Sequence, residues 1–241
     1  MKILGIITAR GGSKRLPGKN IKNLCGKPLL GWTIEVARKS DVLDRIILTT
    51  DDEEIAEVGG RFGAEIPFMR PKKLAEDEST SYEAVKHAVD WLKENEKYEV
   101  DWIILFEPTA PGRTEDHVRE VANLIKKDGD FDSIVSITKT PGHYSYQKQL
   151  KISTDSLVSR ITDGMPLSKL THRNQDVTES YYINSALYAF RTDNLYDGTN
   201  SLWGERTYGY KMDEKYSFDI DTPEDWTVAE VKMRILTSFD S

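Results

Sequence analysis

Residues 2–20 read KILGIITARGGSKRLPGKN, an apolar run that leads directly into a glycine-rich, basic loop. The apolar part, residues 2–8, has the length and residue types of a buried strand. The loop carries four cations within ten positions, at Arg10, Lys14, Arg15 and Lys19. Because ligands of α/β proteins bind at the carboxyl ends of parallel strands, this stretch predicts an α/β fold with an anion site after its first strand.

Outside this stretch, strand and helix patterns alternate along the chain. Apolar runs predict strands at residues 45–50, 65–69, 102–106, 133–138 and 185–191. Apolar residues at helical spacing predict helices at residues 28–39, 51–62, 81–94, 115–127 and 223–236, with Thr50, Thr80 and Thr222 as three of the N-caps. The alternation predicts a Rossmann-like, doubly wound, mostly parallel sheet.

The alternation stops between residues 139 and 182. This stretch is rich in Ser, Thr, Lys and Gln and has few long apolar runs, so it predicts an insertion of short strands and loops rather than a second core. We expect one domain over residues 1–241 that carries this insertion.

The composition argues against several classes of protein. With 38% hydrophobic residues among 241, the chain has enough apolar material for a core and is not a disordered chain. The net charge of -7 argues against a sequence-independent binder of nucleic acid or of an anionic membrane. The single cysteine, Cys25, excludes an intramolecular disulfide, and no apolar run is long enough for a signal peptide or a membrane span. We expect a cytoplasmic protein.

The histidines lack the spacing of a zinc site, and His87 and His117 are expected at helix surfaces.

The basic loop is suited to a polyphosphate, because glycine N–H groups, Arg forks and Lys ammonium groups all bind anions. It is not a Walker A loop, because five residues separate Gly12 from Gly18 and Asn20 stands where a magnesium-binding hydroxyl would be. The alternative is an ordinary solvated turn, in which neighbouring cations repel one another without an anion.

A second candidate site is the pair Asp219 and Asp221, which flank Ile220 before the last predicted helix. In an extended chain, residues two apart point to the same side, so both carboxylates can face one Mg²⁺ ion. The alternative is that they only stabilise the helix through its dipole. The basic loop and the acidic pair together have the chemistry of the two halves of a nucleotide-metal site.

Motifs along the whole chain resemble those of the acylneuraminate cytidylyltransferase family, the CMP-sialic acid synthetases. In the first half of the chain they are ARGGSKRLPGKN at residues 9–20, the strand with its Thr-Asp turn at 45–51, RP at 70–71, AED at 75–77 and STS at 79–81. Further along they are PTAPGR at residues 108–113, NSALY at 184–188 and DIDT at 219–222. The resemblance implies a nucleotidyltransferase domain over residues 1–241, of the nucleotide-diphospho-sugar transferase type. The implied reaction transfers CMP from CTP to the anomeric hydroxyl of a 2-keto-3-deoxy sugar acid and releases pyrophosphate.

The resemblance also implies roles for individual residues. For the nucleotide it implies contacts from Arg10, Gly11, Gly12, Ser13, Lys19, Asn20, Arg70 and Ser81. For catalysis it implies Arg10, Lys19 and the Mg²⁺ ligands Asp219 and Asp221. For the acceptor it implies Lys148, Arg173, Asn184, Tyr188 and Trp203. It finally implies a homodimer, in which the 139–182 insertion is a dimerisation lobe that reaches the partner's site.

The chain departs from the family's motifs at three positions, because Glu107 replaces a Gln, Gly112 a Leu and Ser185 a Gly. A carboxylate cannot donate the hydrogen bonds of an amide, and it repels an anionic acceptor. Glu107 is therefore a candidate acceptor-binding residue, and it favours a legionaminic or pseudaminic type of nonulosonic acid over N-acetylneuraminate.

Two other functions stay open on the sequence. One is guanylyl transfer to a sugar 1-phosphate by the same loop and metal pair. The other is a nucleotide-binding regulator without catalysis, which predicts a missing metal carboxylate or loop cation, whereas all of these are present. Two candidates also stay open for the base that deprotonates the attacking hydroxyl, a metal-bound hydroxide and a carboxylate.

Overall fold

The computed structural model describes residues 1–127, 129–169 and 178–238. Its strands are β1 (Ile3–Thr8), β2 (Asn23–Leu24), β3 (Lys27–Pro28), β4 (Arg45–Thr49), β5 (Trp102–Phe106), β6 (Ser133–Lys139), β7 (Leu150–Ile152), β8 (Val158–Arg160), β9 (Tyr181–Arg191) and β10 (Thr207–Lys211). Its α-helices are α1 (Leu29–Ser40), α2 (Glu53–Phe62), α3 (Ser81–Glu96), α4 (Glu115–Lys126) and α5 (Pro223–Ser238).

Six strands form one sheet in the order β10-β6-β9-β5-β1-β4. Strand β1 pairs in parallel with β4 and β5, and β10 pairs in parallel with β6. Strand β9 runs antiparallel to both β5 and β6. The predicted α/β fold with a mostly parallel sheet is therefore confirmed. The carboxyl ends of β1, β4 and β5 lie side by side, which places the loops after these strands at one edge of the sheet.

Apolar helix faces cover both sides of this sheet. One cluster packs α1, α2 and α4 against the sheet through Leu30, Ile34, Ile55, Val58, Val118 and Val121. A second cluster packs α3 against the sheet through Val85, Ala88 and Leu92. A third cluster joins Trp226 of α5 to Leu24 and Ile220. Because Ile220 is fully buried, this third cluster fixes the segment between the two candidate metal-binding aspartates.

All five predicted α-helices are present, and their ends differ from the predicted ends by at most two residues. The predicted caps at Thr80 and Thr222 are confirmed. The Thr80 hydroxyl accepts a hydrogen bond from the backbone N–H of Glu83, and that of Thr222 accepts one from the N–H of Asp225, both at 3.2 Å. Each acidic side chain accepts a hydrogen bond from its threonine's N–H in return, at 2.8 Å.

Two predicted details of the helix N-termini are wrong. Asp52, not Thr50, caps α2, because it directly precedes the helix and its Oδ1 accepts a hydrogen bond from Ile55 N at 3.0 Å. His117 is not a surface residue of α4. Its Nδ1 accepts a hydrogen bond from Thr114 N at 2.9 Å, and burial lowers the pKa of its imidazole.

The prediction of a strand at residues 65–69 is also wrong. Only Glu65 makes a bridge to β4, opposite Ile47. Pro67 follows two residues later and has no N–H to continue the ladder. Strand β10 was not predicted, because its sequence, TYGYK, contains no apolar run.

The segment 139–182 contains a hairpin of β7 and β8 between short turns. Strands β6 and β9 extend into both ends of the segment, where Lys139 pairs with Tyr181. Strand β9 therefore begins four residues before the predicted start at residue 185. Within the described residues, no helix is both long and apolar enough to cross a membrane.

Candidate functional site

A cavity of about 600 Å³ opens at the carboxyl ends of β1 and β5. Ten of the residues predicted for the site line it: Arg10, Ser13, Lys19, Asn20, Arg70, Ser81, Glu107, Tyr188, Asp219 and Asp221. These residues come from the first loop, from the segments after β4 and β5, from β9 and from the segment before α5. The fold thus brings both ends of the chain to one polar cavity.

The basic loop is shaped by its own backbone contacts. Gly18 has a φ of 66°, a left-handed conformation that glycine adopts without strain. The buried side chain of Asn20 donates a hydrogen bond from Nδ2 to the carbonyl of Arg10 at 3.1 Å. Gly11 donates its N–H to Oδ1 of Asp51 at 3.1 Å. Gly11 and Gly12 are not among the described residues that line the cavity, so their predicted contacts with the nucleotide stay predictions.

Two loop cations contact a segment across the cavity, residues 71–80, which we call the facing segment. Arg10 Nη1 donates a hydrogen bond to the carbonyl of Glu76 at 2.7 Å, and Arg10 Nη2 lies 3.3 Å from Oδ1 of Asp77. Lys14 forms an ion pair with the other oxygen of Asp77. The hydrogen bond that Lys14 donates to this carboxylate holds the pKa of Asp77 below its usual value. A single carboxylate thus pairs with two cations that the sequence assigned to a polyphosphate.

Lys19 links the first loop to the acidic pair. Its ammonium donates to the carbonyl of Ile220 at 2.8 Å and lies 3.0 Å from Oδ1 of Asp221. Residues 217–221 do not form a strand, contrary to the predicted strand end, but Ile220 N donates to Thr109 O at 2.9 Å. Ile220 is buried, and the two aspartates are exposed on either side of it.

Arg70 is 6% exposed and lines the cavity. Its Nε and Nη2 groups have no hydrogen-bond partner within the described part of the chain, and Nη2 lies 3.9 Å from Oδ1 of Asp51. Burial lowers the pKa of the guanidinium. A buried charged group with few hydrogen-bond partners is costly, so this arginine is a candidate for contact with an anionic or polar ligand.

Glu107 lies at the end of β5 and accepts a hydrogen bond from Ser81 Oγ at 3.3 Å. Burial and, secondly, the negative charge of Asp219 raise the pKa of its carboxyl group. Tyr188 also lines this part of the cavity, and its ring packs against Trp203 with 5.3 Å between centroids. Glu107, Ser81 and Tyr188 thus line the cavity together with the acidic pair, whereas Trp203 is not among the described residues that line it and packs behind Tyr188.

The other three residues predicted to bind the acceptor are not among the described residues that line the cavity. Asn184 is buried and structural: its Oδ1 accepts from Ser136 Oγ at 2.6 Å and its Nδ2 donates to Ser217 Oγ at 2.9 Å. Lys148 lies in the turn Tyr146–Lys148 and is not among the described residues that line the cavity. Arg173 lies outside the described residues.

Sequence reasoning missed the structural role of Arg113. This side chain is 2% exposed and donates to the carbonyl of Ala186 at 2.6 Å, to Thr33 Oγ1 at 3.1 Å and to the carbonyl of Glu107. It ties α1, β9 and the end of β5 together. The signal was a charged residue in the short apolar loop that follows the central strand.

Gly112 was noted only as a departure from the family's motif. A Cβ atom on this residue would lie 2.5 Å from both the carbonyl oxygen of Tyr216 and a ring carbon of Phe218. Glycine is therefore required where the loop after β5 touches the segment that carries Asp219.

The acidic pair fits a magnesium ion that also binds phosphate. Asp219 and Asp221 are exposed to the same cavity as the basic loop. Within the described residues, no cluster of three or more His, Cys, Asp or Glu side chains could hold a metal. Mg²⁺ commonly uses one or two carboxylates and completes its shell with phosphate oxygens and water, so two carboxylates suffice beside a nucleotide.

Solved structures and curated proteins resemble this chain over its whole length. CMP:2-keto-3-deoxy-manno-octonic acid synthetase complexed with CTP superposes with a TM-score of 0.69 at 18% identity, covering 99% of this chain and all of the other. The 4-diphosphocytidyl-2C-methyl-D-erythritol synthase of Anaerococcus prevotii superposes with a TM-score of 0.65 at 16% identity, covering 97% and 96%. At these identities the structures support the fold alone.

Among curated proteins, the pseudaminic acid cytidylyltransferase of Campylobacter jejuni is 32% identical, over 98% of this chain and 97% of its own length. The CMP-N,N'-diacetyllegionaminic acid synthase of Legionella pneumophila is 30% identical over the same shares. The N-acylneuraminate cytidylyltransferase of Escherichia coli is 31% identical over 95% of this chain, which spans 51% of that longer protein. The family model described as cytidylyltransferase matches residues 4–238. The chain belongs to the cytidylyltransferase family and is a nucleotidyltransferase.

Proposed function

We propose that this protein is a magnesium-dependent cytidylyltransferase that joins CMP from CTP to a nonulosonic acid and releases pyrophosphate. The observation that carries the proposal is the buried Arg70, which lines the same cavity as the basic loop and the acidic pair and has two nitrogens without a hydrogen-bond partner among the described residues. The two relatives matched over nearly their full lengths are named for pseudaminic and legionaminic acid. We also propose that the reaction takes place in the cytoplasm.

The reaction is a displacement at phosphorus. The anomeric hydroxyl oxygen of the acceptor forms a bond to the α-phosphorus of CTP and releases its proton, while the bond to the bridging oxygen breaks and pyrophosphate leaves. Such transfers depend on positioning and on charge stabilisation rather than on a covalent enzyme intermediate. Arg10 and Lys19 supply positive charge along the triphosphate, and Arg70 also binds the nucleotide.

Asp219 and Asp221 are the residues that would hold magnesium. The bound ion supplies charge neutralisation on the phosphate oxygens. Lys19 lies beside Asp221, so its ammonium reaches the same phosphates and balances the carboxylate.

Glu107 and Tyr188 form the proposed acceptor end of the cavity, and Trp203 supports the Tyr188 ring. A buried carboxyl group with a raised pKa pairs best with a hydroxyl or N–H donor and disfavours a nearby anion. We therefore expect the sugar carboxylate to bind away from Glu107, and a hydroxyl or N-acyl group of the acceptor to face it. This arrangement favours a pseudaminic or legionaminic type of acid.

The second part of the proposal is a homodimer formed through the 139–182 insertion. Large apolar side chains are exposed there at Tyr144, Tyr146, Leu150, Ile152, Leu157, Val158, Ile161 and Met165. A lobe of this size with so many exposed apolar side chains is better explained as an interface than as free surface. A second copy of the chain is the occupant that we propose.

A pyrophosphate-release panel tests the activity. It crosses CTP, UTP, ATP and GTP with pseudaminic acid, N,N'-diacetyllegionaminic acid, N-acetylneuraminate and a sugar 1-phosphate, with and without Mg²⁺. We expect turnover only with CTP, a nonulosonic acid and the metal. Turnover restricted to GTP with the sugar 1-phosphate overturns the proposal, and turnover that persists in EDTA overturns the role of magnesium.

A further inference from the structure

Ser185 has a φ of 59° in the middle of β9. The left-handed region is unfavourable for a residue with a Cβ atom, and inside a strand it also breaks the pairing ladder. Strained residues of this kind persist where the surrounding structure fixes them, and they concentrate at functional sites. Ser185 therefore raises the question of what fixes its backbone and what its side chain does.

The backbone is fixed by neighbours of Ser185. Strand pairing between β6 and β9 jumps from Val135 opposite Tyr188 to Ile137 opposite Ile183, so β9 bulges between these pairs. Ser136 Oγ accepts a hydrogen bond from Leu187 N at 2.8 Å, in place of a ladder bond.

Two further contacts hold the bulge. Asn184 Oδ1 accepts a hydrogen bond from Ala186 N at 3.3 Å, and the buried Arg113 donates to the carbonyl of Ala186 at 2.6 Å. None of these contacts uses the Ser185 side chain. A glycine would satisfy the same backbone without strain.

The Ser185 side chain instead faces the cavity. Ser185 lines the cavity together with Glu107, Tyr188 and Asp219. Ser185 therefore belongs to the β9 wall of the cavity, whereas the residues assigned to the nucleotide lie on the first loop and the segment around Arg70.

We propose that Ser185 is a specificity-determining residue for the acceptor, whose hydroxyl is held in the cavity by a strained bulge to bind a polar substituent of the sugar acid. A hydroxyl can donate to an N-acyl carbonyl and accept from a hydroxyl or N–H group, and nonulosonic acids differ from one another in the identity and configuration of these groups. This inference rests on the proposed function.

Two substitutions separate the strain from the hydroxyl. Ser185→Ala keeps the Cβ atom and its strain but removes the hydroxyl, whereas Ser185→Gly removes both. Each variant is expected to raise the acceptor KM roughly fivefold, as for the loss of one hydrogen bond, and to leave the CTP KM within about twofold. The preference between pseudaminic and N,N'-diacetyllegionaminic acid should change by a similar factor. In thermal unfolding, Ser185→Gly should be more stable than Ser185→Ala.

Asp41 provides a matched control, because it also has a left-handed φ, of 55°, but is exposed at the end of α1, outside both the insertion and the lining of the cavity. Asp41→Gly and Asp41→Ala should show the same order of stability without a kinetic effect. An unchanged acceptor KM and preference in Ser185→Ala, or a change in the CTP KM alone, overturns the inference and leaves the proposed function standing. A wild-type enzyme that turns over no nonulosonic acid overturns both.

Discussion

Arg70 and Arg113 are both buried, but their guanidinium groups have different surroundings. Arg113 donates to three oxygens of the protein, from Ala186, Thr33 and Glu107. Two nitrogens of Arg70, Nε and Nη2, have no hydrogen-bond partner among the described residues, against only Nε of Arg113, and Arg70 lines the cavity. At the scale of the residue, the three hydrogen bonds of Arg113 mark it as an arginine that holds the fold, and the lack of such bonds is the reason that we propose Arg70 for the ligand.

We expect Arg70→Met to weaken CTP binding by about 10- to 100-fold, because charge-assisted hydrogen bonds to the nucleotide are lost. Without ligand, the variant should unfold at the wild-type temperature or above it, since an apolar side chain removes an unsatisfied buried charge. Calorimetric titration with CTP and thermal unfolding measure the two effects.

Arg113→Met is the matched control. It leaves three oxygens of the protein without their donor, so the free energy of unfolding should fall by at least about 2 kcal/mol. Equal destabilisation by both substitutions would show that Arg70 is a structural residue, contrary to our assignment.

At the scale of elements, the sequence predicted the five helices and most of the sheet, because long apolar runs and capping residues determine them locally. It failed where a distant partner decides the conformation. The bulge in β9 depends on Ser136 and Arg113, and the edge strand β10 depends on β6. The residues at 65–69 have strand-like composition, but Pro67 ends their pairing with β4.

The contact between the loop after β5 and the segment before α5 yields a prediction. In Gly112→Ala the new Cβ atom meets a backbone oxygen at 2.5 Å, so the segment that carries Asp219 and Asp221 must shift. A misplacement of catalytic groups by about 1 Å can reduce the rate 100-fold, so we expect kcat/KM to fall at least about tenfold.

Gly60→Ala is the control for this substitution. Gly60 is exposed in α2, and a Cβ atom there has only an ordinary contact, 3.7 Å from Ile66. It should leave kcat/KM unchanged and stabilise the protein slightly, because alanine is the better helix former. Wild-type activity in Gly112→Ala would mean that the segment tolerates the shift.

The facing segment yields a second prediction at this scale. Asp77 pairs with Arg10 and Lys14, so a triphosphate that binds these cations must displace it. Asp77→Asn should lower the CTP KM roughly two- to fivefold, the range expected from exposed ion pairs, and the effect should diminish in high salt.

Asp130→Asn removes an exposed ion pair with Arg206, and neither of these residues lines the cavity, so the substitution should leave the CTP KM unchanged. A higher CTP KM in Asp77→Asn would instead place Asp77 among the groups that help to bind the nucleotide.

At the scale of the whole molecule, the sequence indicated the cavity because the motifs that line it are polar and basic, and because parallel strands bring their carboxyl ends together. The location of Arg10, Lys19, Arg70 and Asp221 in one cavity agrees with that reasoning. The buried position of Asn184 could not be predicted, because a motif match does not reveal which way a side chain points. Its burial follows from the bulge, which no local pattern indicates.

The homodimer is a prediction at this scale. Ile152→Glu places a charge on the exposed apolar surface of the insertion, where the wild-type side chain is 73% exposed. We expect the wild type to sediment as a dimer and this variant as a monomer, with lower activity if the lobe reaches the partner's site. Val228→Glu, on an exposed position of α5, should remain dimeric. A monomeric wild type at micromolar concentration would contradict the prediction.

The ion pair between Lys19 and Asp221 joins residues 202 positions apart in the chain. A ribosome adds residues in order, so a nascent chain displays its basic loop long before the aspartate that balances it has been made. Until then Asp77 can pair with Arg10 and Lys14, but Lys19 lacks its carboxylate and the loop lacks the acidic pair beside it. Because Trp226 of α5 packs against Ile220, the arrangement of this site must wait until both the segment before α5 and α5 itself have left the ribosomal exit tunnel.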